Sequence, residues 1–112
     1  MSPDISVVLC TWNRAPLLRA ALAALRDQRT NVAFELIVVD NASTDGTPEL
    51  LRQLADQTPH LRVIHEGRQG LSFARNSGIA AARAPLIAFT DDDVRVGTGW
   101  IEAIAEIGRA HV

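Results

Sequence analysis

Three consecutive carboxylates, Asp91-Asp92-Asp93, close the apolar run Pro85 to Thr90. Hard divalent cations take oxygen ligands, and adjacent like charges repel unless a cation neutralises them. On an extended segment Asp91 and Asp93 point the same way, so the spacing predicts that they share one Mg2+ or Mn2+ while Asp92 faces elsewhere, toward a ribose hydroxyl. A solvated acidic turn is the competing reading of an isolated triplet; its place at the end of an apolar run favours the metal. Asp40 directly follows Leu36-Ile37-Val38-Val39. Its carboxylate could accept hydrogen bonds from a nucleobase or ribose, or start an Asx-turn. Arg75 and Asn76 fall in a segment rich in Ala, Ser and Gly, where a fixed guanidinium could pair with a diphosphate or the acidic triplet, or snorkel at the surface. Ser43 to Thr47 read as turn and capping residues. His60, His65 and His111 lack metal-ligand spacing and receive no role. Trp12 and Trp100 could cover a sugar or base, but packed indoles are the favoured reading.

The elements that must position these residues are short. Ile5 to Cys10, Phe34 to Val39, Leu61 to His65 and Pro85 to Thr90 are of strand length, and their runs lack strict alternation, as a parallel sheet covered on both faces requires. Between them, Ala15 to Arg29 carries Leu17, Leu18, Ala21, Leu22 and Leu25 at helical steps, with Pro16 in the first turn. A second helix is predicted from Thr47 with Pro48 and Glu49 in its first turn, a third from Ser72 to the segment before Pro85, and a weak last one from Thr98. The small residues of the third helix predict close packing on the sheet. The order β-α-β-α-β-α-β with right-handed crossovers makes a Rossmann-like three-layer α/β/α sandwich around a mostly parallel central sheet. Ligands of such sheets bind beyond the carboxyl ends of the strands. Those ends read Thr11-Trp12-Asn13-Arg14, Asp40-Asn41-Ala42-Ser43-Thr44-Asp45-Gly46-Thr47 and Thr90-Asp91-Asp92-Asp93.

Composition bounds the rest. A chain of 112 residues with 47% apolar residues can bury a core. A net charge of −2, with eleven scattered Arg and no Lys, argues against a nucleic-acid partner and removes phosphate-loop lysine and Schiff-base chemistry. Single Cys10 cannot form an internal disulfide, so a reduced, cytoplasmic setting is expected. The start lacks a signal-peptide pattern, and no apolar stretch is long enough for a transmembrane segment.

Four strings, Ile5 to Arg14 (ISVVLCTWNR), Glu35 to Thr47 (ELIVVDNASTDGT), Gly70 to Gly78 (GLSFARNSG) and Ala88 to Asp93 (AFTDDD), resemble the successive landmarks of family 2 glycosyltransferases. The resemblance spans Ile5 to about Ile104 and implies a GT-A fold, truncated to its N-terminal half, that binds a nucleoside-diphosphate sugar, UDP-sugar first among the candidates, through a divalent cation. It implies that Thr11, Asn13, Arg14, Asn41 and Asn76 belong to the nucleotide-sugar site, that Asp40 reads the base and that Arg75 lies near the diphosphate. Asp91, Asp92 and Asp93 would form the DxD-type motif holding ribose and metal, with Asp91 and Asp93 as the metal ligands. The general base that deprotonates the acceptor hydroxyl is expected from a later half, so this chain should bind but hardly catalyse. The acceptor is open among carbohydrate, lipid and protein, as is membrane-peripheral placement of a longer protein.

Residues 1–105 are accordingly expected to form the donor-binding part. Residues 106–112 (EIGRAHV) back-translate as GAGATCGGAAGAGCACACGTC, which resembles a common sequencing-library adapter, so this tail is expected to be read-through following a helix that breaks at Gly108. An incomplete sandwich would expose a sheet edge and apolar helix faces, inviting self-association. Two alternatives stand: a receiver-type signalling domain, against which the first strand ends in Thr11-Trp12-Asn13-Arg14 and Lys is absent, and a catalytically silent nucleotide-binding module.

Overall fold

The four apolar runs become β1 (Ile5–Thr11), β2 (Phe34–Asp40), β3 (Leu61–His65) and β4 (Leu86–Asp91), separated by α1 (Ala15–Arg26), α2 (Thr47–Gln57) and α3 (Leu71–Ala81) and followed by α4 (Trp100–Ala110). The computed structural model describes residues 2–110. All strands pair in parallel, in the order β3-β2-β1-β4. The polar ends lie level with one another: Thr11 is opposite Asp40, Cys10 opposite Asp91, and Asp40 opposite His65.

Side chains alternate across a strand, so each face has its own core. On one face Ile5, Val7, Leu9, Leu36 and Val38 meet Leu18, Leu22 and Leu25 of α1, Leu51 and Leu54 of α2, and Ile101 of α4. On the other, Val8, Ile37 and Val39 meet Ala74 of α3. Each large apolar side chain removed from water contributes about 1.5–3 kcal/mol. The three-helix face, with thirteen buried apolar residues against four, therefore carries most of the stabilisation. α3 covers its face by approaching closely. A Cβ on Gly78 would collide with Val8, which is why small residues line this helix.

At the amino ends of the strands, on the α3 face, the polar residues form a closed network. Glu35 Oε2 accepts from Ser6 Oγ at 2.6 Å and from the Arg83 amide at 2.8 Å. Its Oε1 accepts from Arg62 Nε and Nη2 at 3.1 and 2.8 Å, and the Ala84 amide donates to Ser6 Oγ at 3.0 Å. Burial pushes the Glu35 carboxyl up, but the hydrogen bonds from Ser6, Arg83 and Arg62, with the Arg62 charge, outweigh it and leave the group below its ordinary range. The network ties the exit of α3 to three strands.

Several boundaries differ from the sequence-based expectation. The strands run one residue further, into Thr11, Asp40 and Asp91, because the parallel ladder pairs backbone whatever the side chain. α1 stops at Arg26 instead of Arg29, freeing Gln28 to donate to the carbonyls of Ala24 and Gly97 at 3.2 and 2.7 Å and to accept the Ile101 amide at 2.9 Å. The Arg29 amide also donates to the Thr98 carbonyl at 2.9 Å. α4 begins at Trp100, past Gly97-Thr98-Gly99, and does not break at Gly108, which sits inside the helix close to Leu86. Of the expected read-through tail, His111 and Val112 lie outside the described residues.

Candidate functional site

The chain moves from β1 outward through β2 to β3, then α3 carries it back to β4 on the other side of β1. The crevice beyond the carboxyl ends of β1 and β4 is therefore the topological switch point, where loops diverge and a ligand can enter. Thr11, the last residue of β1, donates from Oγ1 to Asp92 Oδ2 at 2.9 Å across this crevice.

The acidic triplet is not extended along its length. Asp91 ends β4, and the Val94 amide bonds back to the Asp91 carbonyl at 3.2 Å, so Asp92 and Asp93 occupy the corner of a turn. The strand alternation expected to align Asp91 with Asp93 thus stops at Asp91. Asp92 is half-buried, whereas Asp91 and Asp93 are exposed. Burial raises the Asp92 carboxyl above its ordinary range, opposed by the Thr11 bond and the Arg14 charge and reinforced by Asp93 and Asp91. None of the three forms an ion pair among the described residues. Nor do three His, Cys, Asp or Glu side chains form a ready-made metal cage among them. One or two carboxylates without a cationic partner suit a hard cation that takes its remaining ligands from water and phosphate oxygens, so the donor set fits Mg2+ or Mn2+.

Beside the turn, Cys10, Thr11, Trp12, Asn41, Gln69, Gly70, Leu71 and Ala74 line an open cleft of about 240 Å3. Trp12 is 49% exposed here, a correction to the packed indole expected, while Trp100 does pack against the core. Burial raises the Cys10 thiol, partly offset by the Arg75 charge, so the thiol lining this cleft stays protonated at neutral pH. A larger hollow of about 690 Å3 opens at the opposite ends of the strands, around Phe34, Glu35, Arg62 and Arg83. The Glu35 carboxylate there is already saturated, and the strand ends that carry unspent polar groups are the other ones.

The remaining predicted site residues divide into two groups. Asn13, at φ 52°, spends its side chain on a clasp between two loops: Oδ1 accepts the Thr44 and Asp45 amides at 2.7 and 3.2 Å, Nδ2 donates to Thr44 Oγ1 at 3.3 Å, and the Asn13 amide donates to Ser43 Oγ at 3.0 Å. Asn41 is likewise engaged, accepting the Gly70 amide and donating to the Glu66 and Arg68 carbonyls. Asp40 is 2% exposed, accepts the Ser43 amide at 3.2 Å through Oδ1, and has His65 Nδ1 3.5 Å from Oδ2. Arg14, Arg75 and Asn76 are exposed. Arg75 stands 5.9 Å from the Phe89 ring centroid and acts on Cys10 by its charge, which places it on the side of the acidic turn. Gln69, Gly70 and Leu71 are cleft lining that the sequence reading does not name as site residues, and the place of the Gly70 turn at the start of α3 is the signal that could have found them; Trp12 is weighed there as a cover for a sugar or base but read as packed.

Residues 6–109 match the model of Glycosyl transferase family 2. The chain belongs to that family. It is 37% identical over 107 residues to validoxylamine A glucosyltransferase of Streptomyces hygroscopicus subsp. jinggangensis, a match covering 91% of this chain and 25% of that protein. It superimposes on the mannosyltransferase PcManGT of Pyrobaculum calidifontis, solved with GDP-Man and Mn2+, with TM-score 0.73 and 32% identity over 83% of this chain and 28% of the other. The fold also matches S. aureus TarS 1-349 in complex with UDP-GlcNAc, TM-score 0.84 at 24% identity, covering 96% of this chain and 32% of TarS 1-349. The architecture is thus of the GT-A type, and the chain spans about a quarter to a third of the length of these relatives. The match answers against the receiver-type alternative. Among the described residues no helix is long and apolar enough to cross a membrane.

Proposed function

We propose that this chain is the donor-binding part of a hexosyl-type glycosyltransferase, taking a nucleoside-diphosphate sugar, UDP-sugar in the first instance, and passing the sugar to a carbohydrate, lipid or protein acceptor. The observation that carries this reading is the Thr11 to Asp92 hydrogen bond, which fastens the acidic turn to the end of β1 at the switch point, while Asp91 and Asp93 form no ion pair among the described residues. The GDP-Man and Mn2+ bound to the 32%-identical mannosyltransferase support the ligand class.

In this reading Asp91 and Asp93 hold Mg2+ or Mn2+, and Asp92, anchored by Thr11, faces the ribose. When bound, the cation supplies Lewis-acid neutralisation of charge on the departing diphosphate. Arg75 and Arg14 add fixed positive charge beside the same turn, and Trp12 offers its exposed indole to a base or sugar. Asn13 and Asn41 act through the loops they clasp, and Asp40 reaches a base only if the groups covering it part. No residue is assigned as the general base, which is expected from outside this segment; the isolated chain then binds donor with little transfer. The donor part comprises residues 1–105, with 106–112 as an appended tail; a genomic locus encoding these seven residues within a longer frame would overturn that assignment. A cytoplasmic setting, peripheral to the membrane in a longer protein, and self-association through exposed apolar surface that includes Phe89 belong to the same proposal.

Calorimetric titration with UDP, GDP and dTDP, each with and without Mn2+, tests it. Metal-dependent binding of one nucleotide, abolished in Asp93→Ala, is the expected result. Binding of none by a folded chain, or binding indifferent to Asp93→Ala, overturns the donor-site reading in favour of a module without this chemistry.

A further inference from the structure

The loop from Glu66 to Gly70, which joins β3 to α3 and forms one wall of the cleft, is held by two side chains from different elements. Asn41, just beyond β2, donates from Nδ2 to the carbonyls of Glu66 at 3.1 Å and Arg68 at 2.7 Å, and accepts the Gly70 amide on Oδ1 at 2.9 Å. Glu66 accepts on its carboxylate from the Arg68 amide at 2.9 Å, from Arg68 Nη2 and Nε at 3.0 and 3.3 Å, and from Ser77 Oγ of α3 at 2.7 Å. The Arg68 guanidinium in turn lies 4.6 Å over the Phe73 ring. Gly70 completes the loop at φ 142°, a conformation that side-chain-bearing residues rarely adopt, and a Cβ there would stand 3.3 Å from Phe73.

Asn41 is therefore saturated as a donor, and Glu66 carries more hydrogen bonds than a solvated surface carboxylate needs. The Arg68 side chain first, then its amide and Ser77, hold the Glu66 carboxyl down to about 2, so the clamp is fully ionised at neutral pH. Neither residue turns a free polar group toward the cleft. What they determine is where Gln69, Gly70 and Leu71, which line the cleft together with Asn41, stand relative to Cys10 and Trp12.

We infer that Asn41 and Glu66 are positioning residues that hold the β3 to α3 loop as a preformed wall of the cleft, so that a nucleoside diphosphate meets an ordered surface and does not bear the cost of ordering it. The ligand part of this inference rests on the donor-site reading above; the loop part does not. Fixing a backbone residue costs about 1–2 kcal/mol. A loop left loose in the free protein would charge that cost against binding.

The test compares wild type with Glu66→Ala, Glu66→Gln, Asn41→Ala and the milder Ser77→Ala. It reads tryptic cleavage after Arg68, hydrogen exchange at the Gly70 amide, and Mn2+-dependent affinity for UDP, GDP and dTDP on the same folded preparations. Loss of a charge-assisted hydrogen bond is expected to raise cleavage after Arg68 and to weaken nucleotide binding by about tenfold in Glu66→Ala, with the same loss for every base. Glu66→Gln should recover part of both, because its amide oxygen still accepts from Ser77. Unchanged cleavage and exchange in Glu66→Ala and Ser77→Ala overturn the clamp. A loosened loop with unchanged affinity overturns its positioning role. If wild type binds no nucleotide, the donor-site reading falls, while cleavage and exchange still decide whether these residues hold the loop.

Discussion

The two ends of the parallel sheet are both polar, yet they treat charge in opposite ways. At the amino ends Glu35 receives hydrogen bonds from Ser6, Arg62 and Arg83 and is left with no capacity for a ligand. At the carboxyl ends, among the described residues, Asp91 and Asp93 form no ion pair and Asp92 accepts a hydrogen bond from Thr11. A buried carboxylate with a complete set of donors is part of the scaffold. Carboxylates crowded together without donors are destabilised until something positive arrives.

Breaking the scaffold end should cost the most. Glu35→Ala leaves the Arg62 guanidinium and the Arg83 amide without their acceptor and is expected to destabilise the fold by about 3 kcal/mol in denaturant unfolding. A cost near zero would put Glu35 in the same class as the acidic turn. Next, Gly78→Ala forces a methyl into Val8 and should cost about 2 kcal/mol, read as a lowered midpoint with unchanged m-value.

A pH series sharpens the same contrast at Glu66, which lies between the two extremes. Its carboxyl is depressed from 4.5 to about 2 in the folded chain, so it stabilises fully above about pH 4.5 and loses that contribution as pH falls toward 2. The stability difference between wild type and Glu66→Gln should therefore shrink steadily on acidification, and a difference that grows would reverse the sign of the argument. The smallest stability effect belongs to the opposite end. Asp93→Ala should change the unfolding free energy by no more than about 0.5 kcal/mol, or raise it by relieving repulsion, while metal-dependent nucleotide binding is lost. A large destabilisation would make Asp93 scaffold.

The elements were legible because the chain punctuates them. Apolar runs of strand length located β1 to β3 closely, leucines at helical steps located α1 and its start, and Pro48 with Glu49 located the start of α2. Gly78 was readable as part of a small-residue face. What was not legible was who spends whom. Ser6, Glu35 and Arg62 are each unremarkable in a strand, and the pairs they form are 29 and 27 residues apart, beyond any local pattern. Asn13 and Asn41 sit where ligand residues belong, and only coordinates show that their side chains are already committed to neighbouring loops. The same limit applies to Asp91-Asp92-Asp93, where strand periodicity was carried two residues too far, into a turn.

Gln28, read in the sequence as one more residue of α1, sets the length of what can move. By holding the Gly97 carbonyl and the Ile101 amide it anchors the far end of the segment whose near end is anchored by Thr11 on Asp92. Only the four residues from Asp93 to Val96 remain between these two moorings. At about 1–2 kcal/mol of lost backbone freedom per residue, the entropic cost of holding Asp93 in one arrangement is confined to that short span. The acidic turn thus works as a tether of fixed length, with its slack set by a glutamine on the opposite side of the loop.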